Sequence, residues 1–177
     1  KSAEDAPATA WIFGKIAREA GLPAGVLNII HGLGTEAGEP LVQDTRVGVI
    51  SFTGSTAVGR RIAEIAGRRL AKVSLELGGK NPLVICDDAD LDNALRWTLL
   101  SAFSNAGQRC ASSSRIIILD GIYEQFRERL IGATLQLKVG PSDEDDFGPV
   151  INKKQLDRIL AAIDAARGPP ARHSEQG

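Results

Sequence analysis

The sequence predicts an α/β fold with parallel strands, and three observations carry that expectation. Short apolar, β-branched runs alternate along the chain with segments whose apolar residues recur at helical spacing. One strand run, Val47 to Phe52, leads straight into Thr53-Gly54-Ser55 and a helical pattern, the strand–turn–helix join of such folds. The composition, 43% hydrophobic and 24% charged over 177 residues, is that of one or two ordinary globular domains, without an internal repeat or a long low-complexity segment.

Helical spacing of Ala8, Ile12, Phe13, Ile16, Ala17 and Ala20 predicts a first helix, with Asp5 as its cap and Gly21 and Pro23 as its stop. Val26 to Ile30 reads as a strand. It is followed by Gly32-Leu33-Gly34-Thr35-Glu36-Ala37, the loose G-x-G-x-x-A form of a dinucleotide fingerprint, a weak signal by itself. After the Val47 to Phe52 strand, Val58, Ile62 and Ile65 mark one helix face, and Ser55 with the first free N–H groups of that helix can hold a phosphate. Gly54 to Gly59 resembles half of a P-loop, but Arg60 and Arg61 occupy the places of the Lys and Ser/Thr that meet phosphate and magnesium, which excludes an NTPase.

Lys72 to Leu77 is a strand broken by Gly78-Gly79, where a domain boundary is expected. Asn81-Pro82 ends it, and Leu83 to Cys86 resumes the apolar run, which makes Cys86 a buried structural residue. Asp90 caps a helix through Phe103 with Leu91, Ala94, Leu95 and Leu99 inward, and Trp97 reads as core or packing surface. Arg115 to Leu119 is a strand. Ile122, Phe126, Leu130 and Leu137 stripe a long helix, Asp143 to Asp146 form a solvated turn, and Ile151, Leu156, Ile159, Leu160 and Ile163 mark a last helix. From Gly168 onward no apolar periodicity survives; 168–177 is expected to be disordered, and His173 there is no catalyst.

Composition narrows function as well. A net charge of -1 gives nucleic acid no electrostatic footing, and the pairs Arg60-Arg61 and Arg68-Arg69 read as a solvated helix face. No apolar run approaches the roughly 20 residues of a membrane span, and no signal peptide is evident. Two cysteines and two histidines lack metal-ligand spacing, so no metal is expected and a reducing, cytoplasmic compartment is the simpler assumption. The chain has no Met and begins at Lys1, which suggests a piece of a longer one.

Two side chains invite chemistry. Cys110 sits in the polar loop Ser104-Asn105-Ala106-Gly107-Gln108-Arg109-Cys110-Ala111-Ser112 between a helix and a β-branched run. Backbone N–H groups of such a loop are free to face an oxyanion, and a thiol so placed can be a nucleophile. A lone cysteine is more often inert, so the case needs support. Glu76 supplies it: an acidic side chain at a strand end beside two glycines that leave room for close approach, 34 positions before Cys110.

In this order, Phe52-Thr53-Gly54-Ser55, Glu76-Leu77-Gly78-Gly79-Lys80-Asn81-Pro82 and Gly107-Gln108-Arg109-Cys110 resemble the aldehyde dehydrogenase superfamily. Lys1-Ser2-Ala3-Glu4 resembles its Lys-Pro-Ser/Ala-Glu segment, with Ser2 in place of proline, and Phe147-Gly148-Pro149-Val150-Ile151 resembles a stretch further on. The resemblance implies the later half of a Rossmann-like NAD-binding domain over 1–79 and the first part of an α/β catalytic domain over 80–167. It implies that Lys1 and Glu4 meet the adenosine ribose, that Gly54 and Ser55 meet the pyrophosphate, and that Gly34, Leu77 and Gly78 complete the cofactor contacts. The ribose-binding Glu4 favours NAD, with NADP as the alternative.

By the same resemblance Cys110 attacks a small aldehyde, hydride leaves to the nicotinamide, and Glu76 activates the water that hydrolyses the thioester. A CoA-acylating relative and a truncated, non-catalytic chain are the competing readings. Implied too are a homo-oligomeric parent, dimer or tetramer, and no nucleic-acid or membrane partner. Arg109, beside Cys110, suggests an acidic semialdehyde as substrate.

Overall fold

In the computed structural model, which describes residues 1–168, the chain divides after Gly78 into two units, each organised around one strand–helix–strand crossover. The expectation for 169–177, His173 included, lies outside the described residues. Both strand pairs are parallel, as an α/β fold requires. Among the described residues, no helix is long and apolar enough to cross a membrane.

In the first unit, α1 (Pro7–Glu19) has Pro at its first turn and is capped at Ala6 without a side-chain bond, so Asp5 is not its N-cap. Gly21, at φ +87°, ends it: Leu22 N donates to Ala17 O and Gly21 N to Arg18 O, a left-handed C-terminal motif. Trp11, Ile12, Phe13 and Ile16 remain exposed. Val26 to Ile30 is turn and irregular chain, not a strand. A strand needs a neighbouring ladder, and the described segment has instead a local turn bond, Val26 N to Pro23 O, and one bond from outside, Ser2 N to Ile30 O. Its Ile29 side chain instead lies where a Cβ on Gly14 would stand.

The Gly32–Ala37 fingerprint therefore follows no strand. It turns tightly, Gly32 at φ +135° with Ala37 packed against it, and winds into one π-helical turn, Gly34–Gly38, and then α2 (Glu39–Gln43). From there β1 (Val49–Gly54), α3 (Thr56–Arg68) and β2 (Lys72–Leu77) form the crossover, in register from Val49↔Lys72 to Gly54↔Leu77. Ile50, Ile62 and Ala66 are its core, packed with Val42, Val47, Phe52, Ala71 and Leu75. The buried stripe of α3 is Gly59, Ile62 and Ala66; Val58 is exposed. Gly59 is there for space, since a Cβ would stand 2.6 Å from Leu77 Cδ2.

The arginines in and just after α3 do more than face water. Arg61 grips Glu39 through Nε (2.9 Å) and Nη2 (2.7 Å), which with the Gln43 amide holds the Glu39 carboxyl below its ordinary pKa. Arg69, half-buried, donates to Val47 O (2.7 Å) and Val42 O (3.1 Å) and fastens the approach to β1 against the end of α3.

In the second unit β3 (Asn81–Ile85), α4 (Leu91–Phe103) and β4 (Ser113–Ile118) form the crossover. Asn81 and Pro82 begin β3 instead of ending a strand, and the register slips between them, from Asn81↔Ser113 to Pro82↔Arg115. Pro82 has no N–H for a ladder, so the irregularity falls where it is tolerated. Asp90 accepts from Asp92 N and Asn93 N as the cap of α4. Cys86 is exposed, because its strand ends one residue earlier at Ile85. A 3-10 turn, Asp120–Ile122, leads to α5 (Tyr123–Thr134), whose Phe126 is fully buried; Leu137 lies beyond the helix. Residues 143–146 form a turn closed by Asp145, which accepts from Ser142 N, and Asp146, which accepts from Lys138 N. Asn152 caps α6 (Lys153–Arg167); Ile151 precedes it, and Leu156, Leu160 and Ile163 are exposed.

Candidate active site

Cys110 is delivered by a loop whose shape rests on three successive left-handed residues. The chain leaves α4 through the 3-10 turn Ser104–Gly107, where Asn105 and Ala106 both have φ 54° and Gly107 has φ +68°. A left-handed alanine costs about 1 kcal/mol or more, so the surrounding bonds must hold it. Gln108 N and its side-chain Nε2 both donate to Asn105 O, at 3.0 and 3.2 Å. Gln108 Oε1 accepts from Ile151 N at 3.0 Å, tying the loop to the chain before α6, and Phe103 stacks on Phe147.

The far side of Cys110 is held from β3. Asn81 Nδ2 donates to Cys110 O at 2.6 Å and to Ser112 O at 3.2 Å, and Ser112 N donates back to Arg109 O. The thiol itself is exposed while its backbone is fixed. That is the useful combination for a nucleophile, since the backbone is positioned in advance and the sulfur is accessible.

The residues assigned to the cofactor fall in the first unit, in two groups. At the carboxyl ends of β1 and β2, Gly54 pairs with Leu77, and Ser55 caps α3 by accepting from Val58 N. Ligands of parallel sheets bind beyond these strand ends. Thr56 and Ala57 N–H have no intrahelical acceptor, and the first turn of α3 carries no acidic side chain, so this terminus suits a phosphate. The Leu77 side chain lies against Gly59, and Gly78 follows in open space. Glu76, exposed, is paired in register with Thr53 and stands one residue before the end of β2.

The second group gathers around the Gly32–Gly34 turn. Lys1 Nζ donates to Ser2 O (2.6 Å) and Gly32 O (2.8 Å), Glu4 Oε1 accepts from Gly34 N, and Ser2 Oγ lies 2.8 Å from His31 Nδ1. Lys1, Glu4 and Gly34 are thus brought to one place, all exposed. Among the described residues no cluster of His, Cys, Asp or Glu could hold a metal ion.

The family model of the aldehyde dehydrogenase family matches residues 1–176. The chain belongs to that family. Betaine aldehyde dehydrogenase 1 of Oryza sativa subsp. japonica is 43% identical over 169 residues, 94% of this chain and 34% of the relative. The α-ketoglutaric semialdehyde dehydrogenase of Bacillus subtilis is 43% identical over 151 residues, 84% of this chain and 31% of the relative. A 1-pyrroline-5-carboxylate dehydrogenase from Thermus, solved with bound NAD, superposes with a TM-score of 0.87 at 38% identity, covering 92% of this chain and 33% of that one. The chain spans about a third of the length of the curated relatives it matches.

Two residues of this aldehyde dehydrogenase chain escape a reading of the sequence. Asn81, which reads there as a strand terminator, clamps the nucleophile loop, and Gln108 bridges it to Ile151. The Asn-Pro pair marks a strand boundary but says nothing of a partner 29 residues away. Only the repetition of amide side chains in and before the loop hints at such bonds.

Proposed function

We propose that the protein oxidises a small aldehyde to its carboxylic acid with NAD as hydride acceptor. Family membership supports the reaction class, and the observation that carries the residue assignment is the exposed thiol of Cys110 on a backbone clamped by Asn81. An aldehyde holds its hydride until a nucleophile has added and made the carbon tetrahedral and electron-rich. Cys110 as thiolate forms the C–S bond. Its loop N–H groups receive the resulting oxyanion, which reforms the carbonyl as hydride departs and leaves a thioester on sulfur. Bound NAD supplies the two-electron acceptor. Glu76 then takes a proton from water, hydroxide adds to the thioester, and the acid leaves with the Cys110 thiolate restored. Lys1 and Glu4 hold the adenosine ribose, and Gly34, Gly54, Ser55, Leu77 and Gly78 line the remaining cofactor contacts.

The test is aldehyde-dependent NADH formation by the protein and two variants. Cys110→Ser is expected to remove it. Glu76→Gln is expected to yield one equivalent of NADH and then stop, with the acyl group found on Cys110 by mass. Steady turnover by Cys110→Ser overturns the assignment, and turnover that requires added coenzyme A assigns the thioester to acyl transfer instead of hydrolysis.

A further inference from the structure

Ser2 stands where the matching family segment has proline, and it makes two bonds that a proline could not. Its N–H donates to Ile30 O at 3.2 Å, and its Oγ is hydrogen-bonded to His31 Nδ1 at 2.8 Å, the imidazole tautomer deciding which atom donates. The flanking residues continue the seam, since Lys1 Nζ donates to Gly32 O and Glu4 Oε1 accepts from Gly34 N. Residues 1–4 are thereby laced to residues 30–34, and Ser2–His31 is the contact in that lacing made by two side chains. Lys1 and Glu4 both lie over glycine: a Cβ on Gly38 would stand 3.4 Å from Lys1 Cδ, and one on Gly34 would stand 3.3 Å from Glu4 Oε1. What the seam leaves over has a definite chemistry. An ammonium has three N–H donors, and Lys1 spends two, on Ser2 O and Gly32 O. Among the described residues, Glu4 spends one carboxylate oxygen, on Gly34 N. One cationic donor and one anionic acceptor remain on the same exposed turn. A vicinal diol suits them, one hydroxyl accepting from the ammonium and the other donating to the carboxylate, so the donor set fits the adenosine ribose of NAD.

We infer that Ser2 and His31 are positioning residues of the cofactor site: through their mutual hydrogen bond they fix residues 1–4 on the Gly32–Gly34 turn and so set the spacing of the Lys1 ammonium and the Glu4 carboxylate. The inference rests on the proposed assignment of Lys1 and Glu4 to the ribose, and it adds the two residues that make this pair a preformed receptor. Long side chains such as Lys and Glu lose rotamer freedom when they bind, and a segment already fastened beneath them lowers that cost. His31 acts through Ser2, so neither residue has to touch the ribose for its loss to be felt there.

Calorimetric titration of the protein with ADP-ribose, which carries the adenosine ribose and the pyrophosphate without a redox group, tests this without turnover. Ser2→Ala and His31→Ala are each expected to weaken binding about three- to fivefold. The double variant is expected to bind no more weakly than either single one, because both remove the same bond. Ser2→Thr keeps the hydroxyl, and His31→Asn places an amide where Nδ1 stood; both should stay within about twofold of the parent. Losses that add in the double variant, unchanged affinity in Ser2→Ala, or losses in Ser2→Thr and His31→Asn as large as those of the alanine variants overturn the inference. Glu4→Gln separates it from the assignment beneath it. Weaker binding by Glu4→Gln with unchanged binding by Ser2→Ala and His31→Ala removes the positioning pair alone and leaves Glu4 on the ribose. Equal binding by Glu4→Gln and the parent, or no binding by the parent, removes the ribose assignment and the inference with it.

Discussion

Asn81→Ala removes both bonds that hold the far side of the nucleophile loop, to Cys110 O at 2.6 Å and to Ser112 O at 3.2 Å. The two acceptors differ. Cys110 is exposed, so its carbonyl can take water in place of the amide; Ser112 is buried, so its carbonyl is left with less. One near-neutral exchange and one desolvated acceptor together cost about 2 kcal/mol, or about a 30-fold rise in the opening equilibrium of the loop. Amide hydrogen exchange reads this directly. The Ser112 N–H, which donates to Arg109 O, and the Gln108 N–H, which donates to Asn105 O, are the probes. Both should lose protection by at least about tenfold, Ser112 more than Gln108, while Ile85 and Phe126 amides keep theirs. Asn81→Asp should be worse than alanine, since a carboxylate would then face two carbonyl oxygens. Unchanged protection at Ser112 in Asn81→Ala would refute the claim that Asn81 clamps the loop.

Three further outcomes follow from particular contacts. Leu70 closes α3 in a left-handed motif, with Ala71 N donating to Ala66 O and Leu70 N to Gly67 O at φ 56°, and its side chain is 92% exposed. Leu70→Gly relieves the strained backbone without losing packing and should raise the unfolding free energy by about 0.5–1 kcal/mol after the entropy of glycine is counted, read as a higher unfolding midpoint; a lower midpoint refutes it. Phe126→Ala should cost about 3–5 kcal/mol, measured as loss of the cooperative thermal transition of the second unit. Glu39, held down by the Arg61 and Gln43 side chains, and Asp44, held down by the Arg46 side chain and N–H, have lower pKa values folded than unfolded. Their contribution is present above the unfolded carboxylate values, about 4, and is lost as pH falls through the folded ones. Urea midpoints taken from neutral pH to about pH 3 should therefore fall at the acid end, less steeply in Arg61→Gln; identical acid limbs would remove Glu39 from the account.

What the sequence makes legible is local or periodic. β2 occupies the residues marked as a strand before Gly78-Gly79, the Asp90 cap stands two and three positions before the amides it satisfies, and parallel pairing follows from helices placed between strands. Misreadings arise where a long-range partner decides. Val26 to Ile30 has β-branched composition, but no described ladder lies beside it. Cys86 sits at the end of an apolar run whose last buried member is Ile85. The arginines at 61 and 69 look like surface charge until Glu39 and the carbonyls of Val42 and Val47 come into reach. In the candidate site, Cys110 and Glu76 stand out by residue type and setting, whereas the left-handed run at Asn105-Ala106 has no compositional sign in its alanine.

Each crossover holds only two strands, so among the described residues every strand offers one edge without a neighbour. In the second unit the bare side of the sheet also presents Val84 and Ile117, 54% and 46% exposed. Unpaired N–H and C=O rows beside aliphatic side chains are templates for further strands. A preparation of this chain by itself is therefore expected to associate edge to edge as its concentration rises, and an assay of Cys110 chemistry belongs at dilute protein.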